Sequence, residues 1–110
     1  MSDFGLEVHD LAPKMAEAIA KALASLGDAP ADVALKLALI PGMLNGCKRR
    51  DCYECPIARW LHGGGWPSAF VFRGTVGLGY HPTLIYVPLP LAVEAFRQAF
   101  DDGEHPEFER

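Results

Sequence analysis

The sequence predicts an α+β fold: helices followed by a small antiparallel meander of two or three strands and a C-terminal amphipathic helix, in a single domain covering residues 1–110. Three observations predict it. Apolar residues recur at helical spacing through the first 40 residues and again from 89 to 100, the period shortens to about two from Ser68 to Val87, and Gly and Pro punctuate the joints. Helical and strand patterns that occupy separate runs are the mark of α+β organisation.

The first helix is predicted with Asp10 as its cap and Pro13 in its first turn. Met15, Ile19, Leu23 and Leu26 form one stripe, Glu17 and Lys21 an i,i+4 pair, and Gly27 the stop. In "DAPADVALKLALIPG", Asp28 caps, Pro30 sits early, Val33, Leu37 and Ile40 keep helical spacing, and Pro41-Gly42 ends the run. Leu35 and Leu39 widen the apolar face, which predicts a central helix. A basic loop follows, and then a short helix from Pro56 to the Gly63-Gly64-Gly65 run, with Ile57, Trp60 and Leu61 inward.

"SAFVFRGTVGLGY" and "TLIYV" read as strands turned at Arg73-Gly74 and at Tyr80-His81-Pro82. In the middle strand Val76, Leu78 and Tyr80 share a face, while Gly77 and Gly79 leave the other bare for close packing of a helix. Leu89, Val93, Phe96 and Phe100 then mark a helix that starts near Pro90 and is closed by Gly103. The acidic tail "DDGEHPEFER" is expected on the surface.

A chain of 110 residues is long enough to bury a modest core without staples. Half of it is hydrophobic and the mean hydropathy is +0.09, far from a disordered composition. Fourteen acidic against ten basic residues give a formal charge of -4, which argues against a surface tuned throughout to nucleic acid or anionic lipid. The N-terminus "MSDFGLEVHDLAPK" lacks a basic start followed by an apolar run, and no apolar stretch approaches bilayer length. A cytoplasmic protein with no membrane contact is expected, and its three cysteines, an odd number, read as thiols or ligands.

Chemistry concentrates in "CKRRDCYECPIARWLH", residues 47 to 62. Cys47, Cys52 and Cys55 offer three of the four ligands of a tetrahedral zinc site. His62 does not supply the fourth: along a helix rising about 1.5 Å per residue it lies roughly 10 Å from Cys55. His81, His9, Asp51 or Glu54 would have to serve, and a four-thiolate iron–sulfur set is incomplete. Cys52-x-x-Cys55 at a helix start, near Lys48, Arg49 and Arg50, also has the electropositive setting of a redox dithiol, without the strand–turn–helix context. The plainest reading binds no cofactor: Cys55 is a small apolar residue capping the short helix, and Cys47 and Cys52 are incidental.

"CPIARWL" at 55–61, the strand-rich stretch after it and "VPLPLAVEAFRQAFDDGEHPEF" at 87–108 resemble small uncharacterised proteins of actinobacteria and their bacteriophages. In these a Cys-Pro-Leu-Ala-Arg-Tyr-Leu-like element precedes a closing Phe-Asp-x-Gly-x-x-Pro element. The resemblance covers roughly the C-terminal half. It implies a small accessory or phage-type protein and supplies no catalytic residue. Of the three cysteines only Cys55, before proline, matches the pattern.

The order of elements also matches a winged helix, with residues 56 to 62 as recognition helix, residues 70 to 78 as wing, and Lys48, Arg49, Arg50, Arg59 and Arg73 toward phosphate. Catalytic motifs are missing: no phosphate loop, no nucleophile elbow and no i,i+4 histidine pair. The sequence therefore predicts a non-enzymatic accessory or regulatory protein, phage-encoded by the resemblance, that binds another protein, for example of a host. Its partner-binding residues are Lys48, Arg49, Arg50, Tyr53, Trp66 and Arg73, with Trp66 as the exposed anchor. A nucleic-acid-binding regulator and a zinc-stabilised module held by Cys47, Cys52 and Cys55 stand as the alternatives.

Overall fold

Among the described residues, four helices and three strands follow one another as α1 (Ser2–Ala24), α2 (Pro30–Ala38), α3 (Pro56–Gly63), β1 (Ala69–Phe72), β2 (Thr75–Tyr80), β3 (Thr83–Pro88) and α4 (Leu91–Asp101), with a 3-10 turn at Pro106–Phe108. The computed structural model describes residues 2–40, 44–80 and 83–110. Pro41, Gly42, His81 and Pro82, and the side chains of His9, Asp10 and Tyr80, lie outside the described residues. The architecture is α+β, as the periodicities predict.

The strands form an antiparallel sheet in the order β1-β2-β3, with Val71 opposite Val76 and Val76 opposite Val87. Alternation assigns the two faces: Ala69, Val71, Val76, Leu78, Ile85 and Val87 are buried, while Phe72 and Tyr86 are exposed. On the buried side α1 packs along β3, α3 beside β1, and α2 against α4. Ile19, Leu23, Val33, Leu37, Ile57, Leu61, Val93, Phe96 and Phe100 complete one core, each fully or almost fully buried. Among the described residues no helix is long and apolar enough to cross a membrane.

Several elements depart from the expectations. Helix α1 runs through Asp10, with Pro13 inside it rather than in its first turn; one proline removes a single amide bond, and the turns on either side carry the helix past it. Ala29, not Asp28, is the N-cap of α2, because Pro30 fixes the first helical φ and so places the cap one residue before itself. Leu35 and Leu39 are 67% and 76% exposed, so α2 buries only the Val33 and Leu37 stripe and is no central helix. Gly77 is bare because the Phe70 ring lies over it, where an added Cβ would stand 2.2 Å from Cζ. The close neighbour is a side chain of the next strand, not a helix.

The largest departure is the tail. Phe108 is 2% exposed and meets Phe96 edge to face at 5.7 Å, a favoured aromatic geometry. Gly46 N donates to the Arg110 carbonyl at 2.7 Å and Cys47 N to the Phe108 carbonyl at 2.9 Å. Arg49 pairs with Glu109 through two nitrogens, each at 2.9 Å. The tail is thus part of the core side, laid back onto the cysteine loop.

Candidate functional site

The loop from Cys47 to Cys55 is built by its own polar groups. Lys48 N donates to the Glu54 carbonyl at 2.9 Å, and Asp51 Oδ1 accepts the amides of Tyr53 and Glu54 at 2.9 Å, as a short acidic side chain does at a turn. Asp101, at the end of α4, accepts the Arg50 amide at 2.8 Å. The same carboxyl binds Arg97 Nη1 at 2.8 Å, and Arg97 Nη2 reaches Glu94 at 2.9 Å. Loop, α4 and the β1–β2 hairpin enclose a cleft of about 410 Å³ whose lining includes Arg50, Cys52, Phe72, Arg73, Arg97 and Asp101.

Around the hairpin this cleft passes into the outer face of the sheet. There a shallow groove of about 250 Å³ is lined by Phe70, Phe72, Arg73, Thr75, Gly77 and Tyr86. Phe72 is 53% exposed and Tyr86 60%. Tyr53 tilts against Phe70 at 5.8 Å, and the Arg73 guanidinium stands 5.2 Å from the Phe72 ring centroid, within cation–π range. Four aromatic rings and an arginine therefore share one surface. This is the composition enriched at the centres of protein interfaces.

The predicted binding residues divide into two groups. Arg50, Tyr53 and Arg73 come together at the cleft and groove, and Lys48 lies exposed on the same loop. Arg49 is instead engaged with Glu109, its guanidinium over Gly103. Trp66 is half-buried against the core, in a different groove with Ala22, Ile40, Trp60 and Leu61; Trp66 N donates to the Leu61 carbonyl at 3.0 Å, which draws it onto the end of α3 instead of into solvent. Phe72 and Tyr86 are the site residues the sequence reading did not single out. Their signal was the strand alternation itself, which sets them opposite in phase to Val71 and Val87.

In α3, the helix expected to read a groove in the nucleic-acid alternative, the apolar face is buried and both long polar side chains have partners within the chain. Pro56, Ile57, Ala58 and Leu61 are buried, Arg59 pairs with Glu54 at 3.4 Å, and His62 Nε2 donates to the Ala69 carbonyl at 2.7 Å. Both long polar side chains of α3 are thereby turned to internal partners. Val71 N, for its part, donates to the Cys52 carbonyl at 2.9 Å, so the β1 edge is closed by the cysteine loop and α3 together.

All three cysteines are free thiols. Cys55 is the N-cap of α3, and its sulfur accepts the Ala58 amide at 3.4 Å. Burial pushes the Cys55 thiol up to about 11 despite the Ala58 and Ile57 amides that favour the thiolate. Desolvation outweighs the helix terminus here, the opposite of what a reactive dithiol requires. Burial also raises the Cys47 thiol, with Arg59 opposing and Glu54 adding to the shift. Among the described residues no three His, Cys, Asp or Glu side chains are grouped so as to hold a metal ion. Compared with known protein-family models, curated proteins and solved structures, the chain matches none of them.

Proposed function

We propose that the chain is a small non-enzymatic accessory protein that binds another protein through the outer face of its sheet and the adjoining cleft. The observation that carries this reading is the outer face itself: Phe72 and Tyr86 are more than half exposed, with Phe70, Tyr53 and Arg73 beside them. Aromatic rings on a rigid sheet offer large contact area at little cost in side-chain freedom. The resemblance of residues 55–61 and 87–108 to small actinobacterial and phage proteins supports an accessory role. The face supersedes the 48–66 segment as the proposed surface, because Arg49 and Trp66 have internal work in the fold.

A photo-crosslinking amino acid placed at Thr75, in the same groove, tests the reading. The expected result is capture of one protein from this position, lost when Phe72 and Tyr86 are replaced together by Ser. Equal capture from Ala31, on exposed α2, would refute it. So would a crosslinked nucleic acid whose yield falls steeply with salt.

A further inference from the structure

Among the described residues, the non-glycine positions with left-handed backbone are Arg50, at φ 56, and Arg73, at φ 47. Both line the same cleft. Side chains other than Gly, Asn and Asp are disfavoured in that region, since Cβ crowds the following carbonyl. Arg73 and Gly74, at φ 47 and 77, are the central pair of a two-residue hairpin turn, where Asn-Gly is the favoured choice. Local conformation thus selects against arginine at both places.

Among the described residues neither guanidinium makes a hydrogen bond or an ion pair. Arg50 serves the fold through its backbone amide, bonded to Asp101, which any residue but proline could donate. Arg73 rests on the exposed Phe72 ring. The acids of the cleft, by contrast, are committed: Asp101 to Arg97 and the Arg50 amide, Asp51 to the amides of Tyr53 and Glu54. A strained backbone held at two positions of one cleft, by residues whose charged ends lack an internal partner, is the pattern of a ligand site.

Resting on the reading above that this face binds a protein, we propose that the cleft is a carboxylate site which receives an Asp or Glu side chain of the partner between Arg50 and Arg73. Phe72 then supports the apolar residue beside it. A carboxylate fits the charge balance better than a phosphate group. Arg50, Arg73 and Arg97 line the cleft with Asp51 and Asp101, and Glu94 backs Arg97, so the formal charges balance and a ligand of one negative charge is opposed less than one carrying nearly two. Guanidinium groups match a carboxylate through paired N–H donors.

The test uses ¹⁵N-labelled full-length protein titrated at low salt with a capped peptide of alternating Glu and Phe, and with its Gln-for-Glu counterpart. The amides of Arg50, Phe72 and Arg73 shift with the Glu peptide and not with the Gln peptide. Arg73→Asn and Arg50→Gly weaken binding about tenfold each, while their melting temperatures hold or rise by a few degrees. An equal response to the Gln peptide, or full affinity in both variants, overturns the proposal. A larger response of the same amides to inorganic phosphate at matched ionic strength overturns the carboxylate assignment. If the crosslinked partner survives Arg50→Gly with Arg73→Asn but not the paired Ser substitutions at 72 and 86, the cleft assignment fails and the protein-binding face stands. If it survives both pairs, the face fails as well.

Discussion

The two faces of the sheet are made by alternate residues of the same three strands, yet they meet different fates. Inward, Val71, Val76, Leu78, Ile85 and Val87 lie beneath helices and tail. Outward, Phe70, Phe72 and Tyr86 border open grooves. The inner face is sealed by elements from both ends of the sequence, whereas on the outer one the Phe70 ring is laid across Gly77 and the Tyr53 ring tilts against it. What separates them is that the inner side chains are branched aliphatics that interdigitate with helices, and the outer ones are aromatic rings beside unpaired arginine.

Breaking the seal should have the largest effect. Phe108→Ala removes a buried ring from contact with Phe96, and an equilibrium denaturation curve is expected to show a loss of about 3–5 kcal/mol. A loss below about 1 kcal/mol would mean that the tail does not close the inner side. The next effect is alkaline. With the Cys55 thiol at about 11 in the fold against 9.0 when unfolded, the unfolded chain releases its proton first. Stability is therefore whole below pH 9 and falls as pH rises toward 11, by about 2 kcal/mol. Cys55→Ser, which keeps a capping acceptor, should flatten this alkaline limb in a pH series of melting curves.

On the outer face the effects shrink. Gly77→Ala drives a methyl into the Phe70 ring; the ring swings off β2, and about 1 kcal/mol is lost, with the Tyr53 and Phe70 ring resonances shifting in an NMR spectrum. Phe72→Ala and Tyr86→Ala should each change stability by no more than about 0.5 kcal/mol. A cost above about 2 kcal/mol for either would show the outer ring to be structural and would weaken its assignment to binding.

Much of this contrast is legible in the sequence. The stripes Ile19-Leu23-Leu26 and Val93-Phe96-Phe100, the limits of α3 and the Arg73-Gly74 turn follow from local periodicity and turn chemistry. The place of Phe108 does not: a single aromatic in an acidic stretch carries no period, and only Phe96 and the Gly46–Cys47 backbone, distant in sequence, give it a burial site. Leu35 and Leu39 mislead for the converse reason, since an apolar face is visible but its lack of a covering element is not. At the site, the basic loop announces Arg50 and the turn announces Arg73. Trp66 is misplaced because a glycine run suggests exposure, while the Leu61 carbonyl pulls the following backbone inward.

The closure of the tail on the cysteine loop carries a consequence for the order of folding. Arg49 and Glu109 are 60 positions apart, and Arg50 and Asp101 are 51 apart. Bringing such ends together costs chain entropy that no local turn offsets, so these contacts belong to the late part of the pathway, after the hairpins and α4 have shortened the effective loop. Until then Cys47 and Phe108 remain in water. The last core groups to dry are thus a thiol and a ring that meet across the closure, and the cleft, which Asp101 helps to line, becomes complete only when the whole chain has folded.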